Sequence, residues 1–127
     1  MHIEFDVMRA NQYLHATARG EYNFINMNQV IHRTLTKAQQ TKIYSILLIN
    51  ELKGPDLSTS QTLKIIFSLD IFDDIQFQRI ALVEFHPDHS RSNFLVTLLC
   101  SLKGINAKLF SDRNYAQEWL LSESTID

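Results

Sequence analysis

Glycine is scarce in this chain: three residues in 127, Gly20, Gly54 and Gly104, lie far apart. A phosphate-cradling loop needs several glycines within a few positions, so a nucleotide-binding loop of that kind is excluded. Only two prolines occur, Pro55 and Pro87, and no proline- or glycine-rich stretch divides the chain. Residues 1–127 therefore read as one domain. The single cysteine, Cys100, rules out an intramolecular disulfide and fits a reducing compartment. Charge of one sign is also missing: 12 basic side chains face 14 acidic ones, a net −2. No nucleic acid and no anionic membrane surface is expected as a partner. The longest strongly apolar run, Ile46 to Ile49, is far short of the roughly 20 residues a membrane span needs, so no membrane span is expected. Met1-His2-Ile3-Glu4 shows neither the basic nor the apolar part of a signal peptide, and a soluble, cytoplasmic protein is the expectation. What is present is a globular composition, 45% hydrophobic and 20% charged, in a chain long enough to bury a core without staples.

Hydrophobic spacing then divides the chain. Ile3 to Val7 alternates apolar and polar, as does Tyr13 to Arg19, and the short link Arg9-Ala10-Asn11-Gln12 makes the two a hairpin. Phe24, Met27, Ile31, Leu35 and Ala38 recur at helical intervals behind a capping Asn23. Ile43 to Ile49 is nearly all apolar, the mark of a strand buried on both faces. Ser58 and Gln61 stand at capping-box spacing, followed by Leu63, Ile66, Phe67 and Ile71 on a helical stripe. Ile80 to Phe85 is another inner strand. Phe94, Leu95, Leu98, Leu99 and Leu102 form a third stripe, closed by Gly104 as a left-handed cap. Ala107 to Phe110 is a last strand, and Ser111 caps a final helix with Tyr115, Ala116, Trp119 and Leu120 facing inward. The order β-β-α-β-α-β-α-β-α makes strands two to five parallel, because helical crossovers join them, and leaves the first strand antiparallel near an edge.

Several segments carry a family resemblance. Arg79-Ile80-Ala81-Leu82-Val83 and Lys103-Gly104-Ile105-Asn106-Ala107 are similar to the last third of STAS-like domains, relatives of the anti-sigma-factor antagonists. So are Leu109-Phe110-Ser111-Asp112 and Tyr115-Ala116-Gln117-Glu118-Trp119-Leu120, where the family commonly has a Phe, Ser or Thr, Asp ending and a Trp-Leu pair. Gly20-Glu21-Tyr22 and Leu52-Lys53-Gly54-Pro55 also resemble it, so the likeness covers roughly Tyr13 to Leu121. The resemblance implies an α/β, STAS-like single domain: a mostly parallel mixed sheet flanked by helices, used in protein–protein switching or small-ligand sensing. In the antagonists, a serine in an Asp-Ser-x-Gly element is phosphorylated. The corresponding stretch here is Asp56-Leu57-Ser58-Thr59-Ser60, where Asp and Ser are not adjacent and no Gly follows.

The carboxyl edge of parallel strands is the physically favoured place for a site. Two polar loops are expected to converge there, one through Asn50, Glu51, Lys53, Asp56 and Ser58, the other through Glu84, His86, Asp88, His89 and Arg91. Asn50, Glu51, Lys53, Asp56, Ser58, Glu84, His86, Asp88 and Arg91 are accordingly the candidate interaction or ligand residues. His86, Asp88 and His89 are side-chain types that suit zinc or nickel. Their spacing matches no metal motif and Pro87 marks an exposed loop, so a solvated turn and no metal are expected. Ser58 either caps its helix or accepts a phosphoryl group, because free N–H groups at a helix start favour an anion. Thr59 and Ser60 are helix-start residues on the same argument. Glu51 with Lys53 could serve as an acid/base pair, but no nucleophile or second carboxylate accompanies them, and a surface pair is expected. Cys100 among leucines reads as a buried small hydrophobe. Trp119 and Tyr115 read as core anchors. Phe24, Met27, Phe67 and Phe72 either pack a core or line an apolar pocket.

The functional expectation is a non-enzymatic, cytoplasmic regulatory or protein-interaction module without a cofactor, meeting a protein partner. The alternative is a carrier or sensor of a small apolar ligand, with its pocket between sheet and helices. A homodimer could form through the edge strand Ile3 to Val7.

Overall fold

The computed structural model describes residues 1–8 and 12–122; the hairpin link Arg9-Ala10-Asn11, residues 123–127 and the side chains of Ser90 and Leu99 lie outside the described residues. The chain forms β1 (His2–Met8), β2 (Tyr13–Glu21), α1 (Phe24–Thr41), β3 (Ser45–Lys53), α2 (Thr59–Ser68), a 3-10 turn (Leu69–Phe72), β4 (Arg79–Glu84), a second 3-10 turn (Pro87–His89), α3 (Ser90–Leu102), β5 (Ala107–Phe110) and α4 (Arg113–Leu121). The expected element order is therefore observed, as an α/β fold with one five-stranded mixed sheet in the order β1-β2-β3-β4-β5. β1 pairs antiparallel with β2, and the other pairings are parallel.

Strand alternation splits the core between the two sheet faces. Leu14, Ala16, Ala18, Ile46, Leu48 and Leu82 face one side, where Met27, Val30, Leu35 and Ala38 of α1 and Ile65 of α2 cover them. Leu47, Ile49, Ala81 and Val83 face the other, under Ala116 and Leu120 of α4. The half of that second face built by β1 and β2 carries exposed Glu4, Asp6 and Arg19 instead. There His15 is packed to 9% exposure beside the Thr17 hydroxyl, and burial lowers its pKa.

Local chemistry explains most boundaries. Asn23 accepts from the Asn26 N–H at 2.8 Å and starts α1. α1 stops at Lys42, which adopts the left-handed conformation (φ 58°) that glycine usually fills. Ser58 and Gln61 complete the expected capping box on α2.

Four readings need correction. Asp112, not Ser111, caps α4, because its carboxylate accepts from the Asn114 and Tyr115 N–H groups. Tyr115 is 66% exposed rather than a core anchor; α4 buries only Ala116 and Leu120, while Trp119 packs partly on Phe110. α2 ends at Ser68, so its inner side is Thr62, Ile65 and Ile66 and leaves Phe67 and Ile71 in solvent. α3 buries Ser92, Asn93 and Cys100 and turns Phe94, Leu98 and Leu102 outward. The polar ties of Ser92 and Asn93, described below, fix that rotation.

Candidate functional site

Polar residues at the carboxyl edge are partly strand and partly loop. β3 continues to Lys53, so Asn50, Glu51 and Lys53 belong to a strand rather than to the expected loop. Glu84 likewise ends β4. Asn50 and Glu84 stand side by side in the parallel register and are 0% and 6% exposed, so both are interior groups rather than rim residues. Mutual hydrogen bonding lets the sheet extend into polar sequence.

Glu84 is the hub of a buried network. Its Oε2 accepts from Asn50 Nδ2 at 2.9 Å and from Asn93 Nδ2 at 3.2 Å. Its Oε1 accepts from the His86 backbone N–H at 3.0 Å. His89 Nδ1 stands 3.3 Å from Oε2. The other ring nitrogen of His89, Nε2, is 2.5 Å from the Gly54 carbonyl, which can only accept, so Nε2 carries a hydrogen. A second hydrogen on Nδ1 would complete an imidazolium–carboxylate pair; without it, Nδ1 has no partner among the described residues. The imidazole stacks flat on Tyr22, with centroids 3.6 Å apart and planes at 11°. Ser92 Oγ donates to the His89 carbonyl at 3.2 Å, so the Tyr22 hydroxyl donates to Ser92 Oγ at 2.8 Å. Burial pushes the Tyr22 hydroxyl up to about 12.

These ties join the segment after β2, the loop after β3, the turn after β4 and the first turn of α3. Tyr22 N–H adds a bond to the Lys53 carbonyl at 2.8 Å. Gly54 sits at φ +151°, and a Cβ there would lie 2.8 Å from the Tyr22 carbonyl oxygen, so the close approach requires glycine. His89 is 1% exposed, which corrects the solvated-turn reading: the 3-10 turn Pro87–His89 directs its ring inward onto Tyr22.

Above the network lies an open depression of about 570 Å³ lined by Arg19, Gly20, Asn50, Glu51, Lys53, Phe85 and His86. Arg19 Nε donates to Glu51 Oε2 at 2.7 Å, which raises the Arg19 pKa further. Glu51 thus pairs with Arg19, its direct neighbour on β2, rather than with Lys53. Phe85, 50% exposed, was missed in the sequence as a rim residue. Alternation in β4 would have shown it, since Ala81 and Val83 precede it on the same face. The His86 ring lies 5.4 Å from that of His89.

The two loops do meet. Glu51 and Lys53 share the depression with His86, and Asp56 Oδ2 lies 3.8 Å from Arg91 Nε. Arg91 also donates to the Leu57 carbonyl at 3.3 Å. Ser58 and Asp88 stand outside the depression: Ser58 Oγ accepts from the Gln61 N–H at 3.1 Å, and Asp88 is exposed on its turn. Chemically, the depression offers cations, one paired carboxylate and an aromatic ring. Its lining includes no hydroxyl or thiol side chain. Among the described residues no group of three or more His, Cys, Asp or Glu could hold a metal ion.

A second space lies between the sheet, α1 and α3. It is an apolar cavity of about 60 Å³ bordered by Met27, Thr34, Leu48, Leu82, Val96 and Cys100. The Thr34 hydroxyl, buried there, has no hydrogen-bond partner among the described residues. Burial pushes the Cys100 thiol up, with Lys103 opposing. Of the four residues read as a possible apolar pocket, only Met27 borders this cavity. Phe24 packs at the edge of the core, Phe72 faces a separate hollow, and Phe67 points outward. α2 lies too far round for one pocket to collect all four.

Comparison with protein-family models, with curated proteins and with solved structures gives no match.

Proposed function

We propose that this chain is a non-enzymatic interaction module of STAS-like type that meets a protein partner through the carboxyl edge of its sheet. The observation that carries the reading is the separation of roles at that edge. The ionisable groups with unusual surroundings, Glu84 and His89, are sealed from solvent and tie three connections together. The exposed groups above them, Arg19, Glu51, Lys53, Phe85 and His86, form an open surface. A fixed platform with one aromatic ring amid mixed charges suits recognition of another protein. Topology supports the same reading. Ligand crevices in parallel sheets form where strand order reverses, and β2 to β5 run in sequence order without a reversal.

Partner capture with three forms of the chain tests the reading: wild type, Phe85→Ala and Lys53→Glu. The expected result is a stoichiometric protein retained by wild type and lost from both variants, which keep wild-type melting temperatures. Equal retention by all three forms would refute a role for this edge. Phosphate on a peptide of the captured chain that carries Ser58 would place regulation at the start of α2.

A small-ligand reading draws on the 60 Å³ cavity and its unpartnered Thr34 hydroxyl. That volume is less than half of the roughly 150 Å³ that holds benzene, so the ligand would have only a few heavy atoms. Mass spectrometry of an organic extract of the pure protein would find it.

A further inference from the structure

Helix α3 is amphipathic in the wrong sense. Toward the sheet it presents Ser92, Asn93 and Cys100, each less than 7% exposed. Toward solvent it presents Phe94, Leu98 and Leu102, exposed by 63%, 46% and 77%. α2 lies beside it, aligned in parallel by two ties: Arg91 to the Leu57 carbonyl at one end, and Lys103 to Asp70 and Asp73 at the other. On that neighbour Phe67 is exposed by 66%, and on the 3-10 turn that follows it Ile71 is exposed by 74%. Half the large exposed hydrophobics among the described residues thus fall on α2, its 3-10 turn and α3, whereas Met1, Val7, Ile25, Phe85 and Tyr115 lie elsewhere.

We propose that a second copy of this chain covers the α2–α3 face, forming an antiparallel two-fold dimer. Three observations select that occupant. The first is area. Five side chains of this size and exposure present on the order of 500 Å² of apolar surface, at the upper end for a lone monomer's largest patch. With a polar rim they approach the roughly 800 Å² per partner of a stable interface. The second is charge. Lys64 and Asp70 lie three residues on either side of Phe67, both exposed, and Lys64 makes no ion pair among the described residues. A two-fold axis near Phe67 and Leu98 sets Lys64 of each copy against Asp70 of the other, since such an interface matches a patch to itself. Asp73 and Asp74 extend the acidic end, and Arg91 lies toward the other end, where it already pairs with Asp56. The third is dipole sense: antiparallel copies bring helix starts to helix ends. The net charge of −2 per copy adds little repulsion.

This interface lies on the helical face, away from the edge strand β1, and leaves the carboxyl-edge platform free. It turns the two platforms of a dimer toward opposite ends. It does not depend on what the platform binds.

Sedimentation velocity of the full chain across a concentration series tests the proposal. Wild type is expected to be a dimer at micromolar concentration. Leu98→Asp should weaken the dimer roughly a hundredfold, since it places a charge at the axis twice. Lys64→Asp and Asp70→Lys should each weaken it by roughly tenfold, and the double exchange should restore the dimer although the tie from Asp70 to Lys103 stays broken, which a purely structural effect would not do. A wild-type monomer at high concentration would overturn the proposal. So would a dimer indifferent to Leu98→Asp, or one broken instead by proline in β1, which would locate the interface at the sheet edge. Failure of the double exchange to recover would overturn the two-fold pairing of Lys64 with Asp70.

Discussion

Removing the Glu84 carboxylate should unlock the edge of the sheet. The side chain accepts three hydrogen bonds, from Asn50, Asn93 and the His86 backbone, and faces His89 Nδ1 at 3.3 Å. Glu84→Ala leaves the Asn93 amide and the His86 backbone N–H without that acceptor, and leaves the Asn50 amide only the weak Met27 sulfur at 3.6 Å. A bond to a charged group contributes about 1.5–3 kcal/mol, and loss of one partner of a buried pair costs about 3–5 kcal/mol. These contributions overlap rather than add, so the expected loss is about 4 kcal/mol, a large share of the roughly 5–15 kcal/mol that holds a domain together. At a urea m-value of about 1.5 kcal/mol per molar, the unfolding midpoint should fall by about 2.7 M. Glu84→Gln keeps the shape and one acceptor oxygen and should lose about half as much. Arg19→Gln, which breaks only an exposed ion pair, should leave the midpoint nearly unchanged. Urea denaturation followed by circular dichroism measures all three. A loss under about 1 kcal/mol for Glu84→Ala would refute the claim that this network holds the edge together.

Other expectations concern the backbone and pH. Lys42→Gly should stabilise the chain by about 1 kcal/mol, because glycine adopts the left-handed cap of α1 without the strain lysine bears there; thermal unfolding measures it. Tyr22, raised from 10.0 to about 12, stays protonated in the fold at a pH where the unfolded chain has lost its proton. Stability should therefore fall between pH 10 and 12 by roughly 3 kcal/mol from this group, and Tyr22→Phe should remove that slope in alkaline denaturant titrations. His15 has its pKa lowered by burial, so the unfolded chain takes up the proton first as pH falls below 6.5. Its contribution is present above that pH and lost below it, and His15→Gln should flatten the stability profile on the acid side.

Much of the fold is legible because periodicity is strong where packing is two-sided. Ile46 to Ile49 and Ile80 to Val83 read as inner strands, and they are. Asn50 and Glu84 follow those runs at the same register position, a coincidence that could have marked them as a buried pair rather than as loop residues. The rest was hidden for physical reasons. α3 carries apolar residues on nearly all sides, so spacing alone could not say which side faced the sheet; Ser92 and Asn93 decided it through Tyr22 and Glu84. The left-handed end of α1 falls on Lys42, with no glycine to announce it. His89 looked solvated because Pro87 and Asp88 surround it, and only the three-dimensional approach of Tyr22 and Gly54 buries it. Among the described residues no helix is long and apolar enough to cross a membrane.

The measurement that bears most directly on the fixed-platform account is amide hydrogen exchange at Tyr22, His86 and His89. Their N–H groups donate to the Lys53 carbonyl, Glu84 Oε1 and the His86 carbonyl. In the wild type all three should exchange slowly and together, as one cooperative unit, and in Glu84→Gln all three should speed up while Ala16 and Ile46 stay protected. Fast exchange of these amides in the wild type, at rates typical of solvated loops, would contradict the platform and the function proposed for it.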